Sequence, residues 1–302
     1  MRRALLFFTL LSLFGTTVAY ADVQDDAPEA LLERLDYYHH FDRHEDVLDL
    51  LDRQSPVIRS VRGELLWRRA RALVATVDLG TWEGSIERSR GIAMLEEAES
   101  YARDAMNLLP DRAEPYFWVA AAMGKRGELR GVLNSLFMAS DIRDYAADAL
   151  ERDEEQAEVY YLLTQVYRQL PRWPVSFGNN DYAVSLARRS VALYEAIQDA
   201  GEAPVQYYDH YTQLAHALWE RNSNVRQRNR WVDRAASDFE AAGSALERGF
   251  YFEGTLEIPQ KTDRDEARAI LDRVIRELSA IPDPRLRYRM DLAEARELRD
   301  SW

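Results

Sequence analysis

The sequence predicts an all-α protein built as a ladder of paired helices, and three observations carry that prediction. The stretch Ala105–Met123 lines up with Ala149–Tyr167, 44 residues further on. In each copy a helix ends on a small residue, a short turn follows, then Ala-Glu, and the next helix opens on an aromatic, Tyr116 or Tyr160. Second, small or compact side chains recur at offsets of 0, 4 and 7, which places them on one stripe of a helix. Third, no strand-rich stretch appears, and no linker divides the chain into separate domains. A single helical domain over residues 22–302 is therefore expected.

The elements follow in order. Leu31, Leu35 and Tyr38, with Val47 and Leu51, mark a first hairpin. Leu66, Ala70 and Leu73 lie on the next helix, and Ala98, Ala102 and Ala105 on its partner. Tyr116, Val119, Ala120 and Met123 pair with Ile142, Ala146 and Ala149. Tyr160, Leu163, Thr164 and Tyr167 pair with Ala183, Ala187 and Ser190. Tyr211, Leu214, Ala215 and Leu218 open a fifth hairpin, whose second helix is expected to carry Ala235, Phe239 and Ala242. Two closing helices are expected near Asp265–Ala280 and Pro284–Leu298.

Between the helices of a pair lie inserts. Leu129, Val132, Leu133, Leu136 and Phe137 keep helical spacing, so that insert is expected to be helix. The insert from Leu170 to Asp181 holds two prolines and a Gly-Asn-Asn run, which forbid helix there. Asn222–Trp231 is read as a further insert, and Gly249–Pro259 as irregular.

An aromatic, a small pair, a second aromatic, then Ala, a bulky residue, Ala and Pro is the pattern of tetratricopeptide repeats, whose usual period is about 34 residues. This chain resembles that family with longer spacing. The resemblance implies a right-handed superhelix of about five hairpins with non-standard insertions and closing C-terminal helices. The segment Ala113 to Leu193 is similar, more narrowly, to the exported T-component of TRAP transporters. The residues that carry this are Gly127 to Phe137, Ala149 to Glu151, and Leu170 to Asn179. The eukaryotic regulators of microtubule dynamics share a similar arrangement, and the N-terminal segment argues against them. The T-component resemblance implies a periplasmic, non-catalytic protein that associates with a solute-binding subunit, self-associates, and offers a ligand path through the superhelix.

That N-terminal segment reads as a signal peptide over residues 1–21. Arg2 and Arg3 precede an apolar run from Ala4 to Phe14, and Ala19 and Ala21 supply the small residues a signal peptidase reads. Cleavage is expected after Ala21. The run is shorter than the roughly 20 residues a membrane-spanning helix needs. The chain has no cysteine. It therefore carries no lipid on cysteine, which departs from lipoprotein T-components, and it has no thiol catalysis and no cysteine-held metal. Net charge is −13. That balance disfavours nucleic acid and anionic membrane and favours solubility.

No nucleophile elbow, phosphate loop or dinucleotide fingerprint is present, so neither an enzyme nor a cofactor is expected. His39, His40 and His44, with Asp42, Glu45 and Asp46, have the chemistry of a metal site but fall on a hairpin turn. They are read as a polar, solvated turn without metal. Arg226, Arg228 and Arg230 beside Trp231 are expected to be solvated or paired with acids.

The preferred binding element is the loop holding Trp173, Phe177 and Asn179, with two aromatics to form a surface and an amide to hold a polar group. The alternative is that Trp173 and Phe177 fold back as a structural plug. Phe117 and Tyr161 follow core aromatics by one position, and consecutive helical residues point about 100° apart. They are expected to line the inner groove. Two functions stay open. One is a periplasmic accessory that binds a protein partner and an apolar organic solute. The other is an envelope assembly scaffold that handles polypeptide segments.

Overall fold

A computed structural model describes residues 28–53 and 61–302, with the backbone alone for 132–135. The expected signal peptide lies outside the described residues. Among those residues the regular structure is helical. The helices are α1 (Pro28–His40), α2 (His44–Arg53), α3 (Arg62–Glu83), α4 (Arg88–Leu108), α5 (Ala113–Arg130), α6 (Val132–Arg152) and α7 (Ala157–Gln169). There follow α8 (Asn180–Asp199), α9 (Asp209–Arg221), α10 (Val225–Ala241), α11 (Ala245–Tyr251), a 3-10 turn (Phe252–Thr255), α12 (Asp263–Ser279) and α13 (Leu286–Ser301). None is long and apolar enough to cross a membrane.

Local chemistry sets the ends. Pro28 opens α1, where a missing N–H costs nothing. Asn179 caps α8 by accepting from Asp181 and Tyr182 N–H, and Asn224 forms a capping box with Gln227 on α10. Gly131 sits at φ 98° between α5 and α6, so the expected helical insert is absorbed as extra turns on both helices around a one-residue joint.

The 44-residue repetition is reproduced in atomic detail. The amide after α4 returns to Ala105 O and the amide after α6 to Ala149 O. Tyr116 Oη then donates to Pro110 O at 3.2 Å, and Tyr160 Oη donates to Glu154 O at 3.1 Å, each six residues back. A helix end, a turn and an aromatic latch thus recur at matching positions.

Consecutive helices from α3 to α9 pack on one another, and α3 also touches α5 and α7 touches α9. The predicted stripes are the contact lines. Ala98, Ala102, Ala105, Ala146, Ala149, Ala183 and Ala187 are all buried, as are Val119, Ala120, Leu163 and Thr164. Methyl-sized side chains there let helix axes approach closely, and a larger one would overpack. The first hairpin forms its own small cluster, with Leu31, Leu35, Tyr38, Val47 and Leu51 buried against Ala72.

The C-terminal third departs from expectation. Val225–Trp231, read as part of an insert, is the first half of α10. The principal neighbour of α9 is α12, while α10 lies on the 3-10 turn and α11. Phe239 is accordingly only half-buried, and Ala242 falls beyond the helix. The physical reason is ionic. Arg221 of α9 donates to Asp263 of α12 at 2.8 Å, and Arg228 of α10 pairs with Asp263 and Glu266. Arg188 of α8 meets Glu253 of the 3-10 turn at 2.7 Å and Glu266 at 3.1 Å, and Glu253 also pairs with Arg221. Five elements are joined through six nearly sealed side chains. Gly254 fits because a Cβ there would stand 2.2 Å from Ala236 N.

Finally, α13 packs on α12, α9 and α3, reaching from the last third of the chain back to the first. Arg287 meets Asp78 at 2.8 Å, and Arg285 pairs with Asp42 at 3.3 Å. His40 Nδ1 lies 2.6 Å from Tyr207 Oη, so α1 also reaches the segment before α9.

Candidate binding site

Two regions hold the residues singled out from the sequence. The first is the loop between α7 and α8. It is irregular, as predicted, with a bridge between Arg172 and Gly178 and a cis Trp173–Pro174 bond. Gly178 is required because a Cβ would lie 1.9 Å from Leu170 O. The three candidate residues part company here. Phe177 folds inward, edge-on to Tyr167 at 5.3 Å and under the Arg143 guanidinium at 4.8 Å. Asn179 spends its amide oxygen on the α8 cap. Trp173 stands 85 % exposed, followed by Val175 at 75 %. So Phe177 and Asn179 build the loop, and Trp173 alone is presented to solvent.

The second region lies where α3, α7, α9 and α13 bring their charged faces together around Tyr161. Phe117 takes no part in it: it is buried in the apolar core against Trp118, which leaves it almost no surface for a ligand. Tyr161 does. It lies deep in the molecule yet keeps open surface, with its ring 5.1 Å from that of His210. Burial, and then Asp209 and Glu294, push its phenol well above the usual range. Ser190 Oγ donates to Ala157 O and so receives the His210 Nδ1 proton at 2.7 Å, which fixes that ring behind Tyr161.

Around Tyr161 stand charged groups that sequence spacing did not single out. On α9 they are Asp209 and, one turn on, the amide of Gln213; on α13 they are Arg287, Asp291 and Glu294, again one face of a helix. Gln213 Nε2 donates to Glu294 at 3.4 Å, while Gln213 Oε1 and both Asp291 oxygens are buried without a hydrogen-bond partner. Burial and then the Asp209 charge raise Glu294 to about 7. The same two causes, in the same order, raise Asp291 well above the carboxylate range. Asp78 is the opposite case. Burial alone would raise it, but Arg287 and Lys125, the latter at 2.6 Å, hold it at about 2. The signal available in the sequence was the 287, 291, 294 spacing of charged residues within a closing helix, where a solvated face is the ordinary reading.

The histidine turn is corrected in one respect. It is a turn, over Phe41 and Asp42, with Phe41, Arg43 and Glu45 exposed, but its histidines pack against the molecule. His44 is buried, His39 meets Trp118 edge-on at 6.5 Å, and the carbonyl of His40 accepts from Arg285. Burial, then Arg287 and Arg71, depress His44 to about 3, and burial with Arg71 and His44 also holds His39 well below its usual value. Burial, reinforced by the neighbouring arginines, keeps both rings neutral. Among the described residues no group of three or more His, Asp or Glu is placed to hold a metal ion. Arg228 is buried in the ionic network, while Arg226 and Arg230 are solvent-exposed. A shallow cleft of about 360 Å³ lies outside, lined by Arg103, Asp141, Asp144, Tyr145 and Asp148. Its three aspartates are already solvated, so it offers a ligand little that water does not.

The family model for regulator of microtubule dynamics protein 1-3 matches residues 31–169, from α1 to the end of α7 and just under half of the chain. No curated protein matches the chain.

Proposed function

We propose that this chain is a non-enzymatic helical-repeat protein of the tetratricopeptide type. It binds a protein partner through the Trp173 edge and a small organic solute in its interior. It serves as a periplasmic accessory of TRAP-type solute transport. The observation that supports this reading best is the repeated junction, in which Tyr116 and Tyr160 latch their preceding turns by the same hydrogen bond 44 residues apart. Arrays built of such units leave a concave face between hairpins, and that face is where they bind. The Trp173 indole supplies the kind of solvent-facing aromatic around which partner contacts form.

A second reading rests on the family match over residues 31–169. There the partner belongs to microtubule dynamics and the chain is not exported. Both readings share a helical array that grips a partner without chemistry. Affinity capture from the source organism with the full chain and with Trp173→Ala separates them. A periplasmic solute-binding protein captured by the parent chain and lost with the variant supports the first reading, as does an exported product beginning at Asp22. Capture of tubulin supports the second. Envelope-assembly factors in its place assign the chain to a polypeptide-handling scaffold.

A further inference from the structure

We infer that the interior space between α7, α9 and α13 is a binding site for a small organic ammonium ion, held between Asp209 and Glu294 against the Tyr161 ring. The inference rests on the solute-binding half of the proposed function and gives its chemical class. It replaces the apolar solute expected from the sequence with a cationic one.

Three observations carry it. Tyr161, Asp209, Glu294, Asp78 and Arg287 come together from α7, α9, α13 and α3, yet each keeps open surface; Asp78 and Arg287 retain 24 % and 17 % of their side-chain area. Side chains that are deep and still open line an internal space. Second, that space is short of positive charge. Arg287 is committed to Asp78, which Lys125 also neutralises, and Arg168 is committed to Glu220. Asp209, Asp291 and Glu294 are left with no paired cation of their own among the described residues. Third, the floor of the space carries acceptors that nothing satisfies. Asp291 is 1 % exposed with both oxygens unpartnered, and Gln213, on the facing helix, leaves Oε1 unpartnered at 6 % exposure. Buried acceptors without donors are rare because each costs about 1–3 kcal/mol. Gln213 is not an acid, so the shortage of donors is independent of the carboxylate cluster.

An ammonium ion answers all three. It donates N–H groups to Asp209, to Glu294 and to the unpartnered Gln213 Oε1 beside Glu294. It lies on the face of Tyr161, whose ring His210 holds in place, as a cation does on an aromatic quadrupole. An anion is disfavoured by the carboxylates of Asp209 and Glu294. A hydrated divalent metal is disfavoured because no three ligating groups converge among the described residues.

The groups facing Glu294 are Asp209 and Gln213 from α9, Arg168 and Tyr161 from α7, Asp78 from α3, and Arg287 and Asp291 from its own helix. Of these, Glu294 itself changes charge near neutrality. Ligand binding therefore expels protons, and affinity rises as pH climbs from 6 to 8.

The test is calorimetric titration of the purified full chain with 1,4-diaminobutane, with succinate and magnesium chloride at matched ionic strength as controls. The expected result is saturable one-site binding of the diamine, with proton release measured in buffers of different ionisation enthalpy. Neither control should bind saturably. Glu294→Gln and Asp209→Asn should each weaken binding at least tenfold, and Tyr161→Leu several-fold. Asp144→Asn, on the outer cleft, should leave it unchanged. Circular dichroism checks that each variant is folded, and Tyr161→Leu keeps the test open should either acid variant fail to fold. Absence of saturable diamine binding overturns the inference, and so does equal binding by Glu294→Gln or comparable binding of magnesium. Partner capture that still depends on Trp173 would then leave the wider proposal standing, so the two failures are distinguishable.

Discussion

The Arg287 guanidinium donates to Asp78 Oδ2 at 2.8 Å, joining the last helix to the third across 209 residues of sequence. Lys125 meets the other oxygen of the same carboxylate at 2.6 Å, so three helices converge on one acid. Arg285, two residues earlier, reaches Asp42 and covers Tyr288 with its guanidinium at 4.2 Å. The N-terminal hairpins are thereby clamped to the C-terminal helix by charge.

Removing Arg287 leaves Asp78 with Lys125 as its remaining partner. Arg287→Ala is expected to destabilise by about 1–3 kcal/mol, the worth of a hydrogen bond between charged groups. The double variant Arg287→Met with Asp78→Leu is expected to be less stable still, because Lys125 then loses its 2.6 Å partner. Denaturant unfolding of the three proteins measures it, and a single variant within about 0.5 kcal/mol of the parent would show that the clamp is solvated.

Acid stability is set by the second network. Burial raises the Glu253 carboxyl, but Arg221 and Arg188 outweigh it and hold its pKa at about 2, below the unfolded value of about 4.5. The stabilisation is fully present above pH 4.5 and is lost as pH falls towards 2. Glu253→Gln is expected to lower the melting temperature at pH 7 and to flatten its fall below pH 4.5. Thermal melts between pH 2 and 7 check both.

Glu294 has the opposite sign. Its folded pKa of about 7 exceeds the unfolded value, so the native state is favoured below pH 4.5 and loses that advantage as pH rises through 7. Glu294→Gln is expected to stabilise the free protein at pH 8 by roughly 1–3 kcal/mol and to leave it unchanged at pH 4. Unfolding at the two pH values distinguishes this from a packing effect, which would be present at both.

The loop between α7 and α8 predicts a split between its aromatics. Trp173→Ala is expected to leave the melting temperature within about 1 °C, since a surface substitution of this kind costs at most about 0.5 kcal/mol, and to weaken partner capture. Phe177→Ala, which removes the contact with Tyr167 and the seat of Arg143, is expected to cost about 2–4 kcal/mol. Melting curves with capture assays read both; equal stability in the two would remove Phe177 from its plugging role.

Much of the helical layout was legible because periodicity is local. The offsets of 0, 4 and 7 at Ala98, Ala102 and Ala105 mark a helix face whatever it packs against, and the prolines around Trp173 forbid helix in any context. Tyr161 was legible as an inward residue because it follows a core tyrosine by one position. Phe117 occupies the same offset and is buried instead, because Trp118 and its neighbours close over it. The same rule gave opposite outcomes where the surroundings differed. Asn179 shows the limit for loops: an amide in an irregular stretch reads as a ligand group until the adjoining helix start claims it as a cap.

The sequence by itself determined where the helices lie up to α9, which stripes they bury, and that one junction recurs after 44 residues. Only the tertiary structure decided that α12 displaces α10 beside α9, that α13 closes back onto α3, and that Asp209, Asp291 and Glu294 share one interior. The reason is the range of the forces involved. Helix propensity and apolar spacing act over a few residues and leave a periodic trace. A salt bridge spanning two hundred residues leaves none, because each of its partners, read alone, is an ordinary charge on a solvated face.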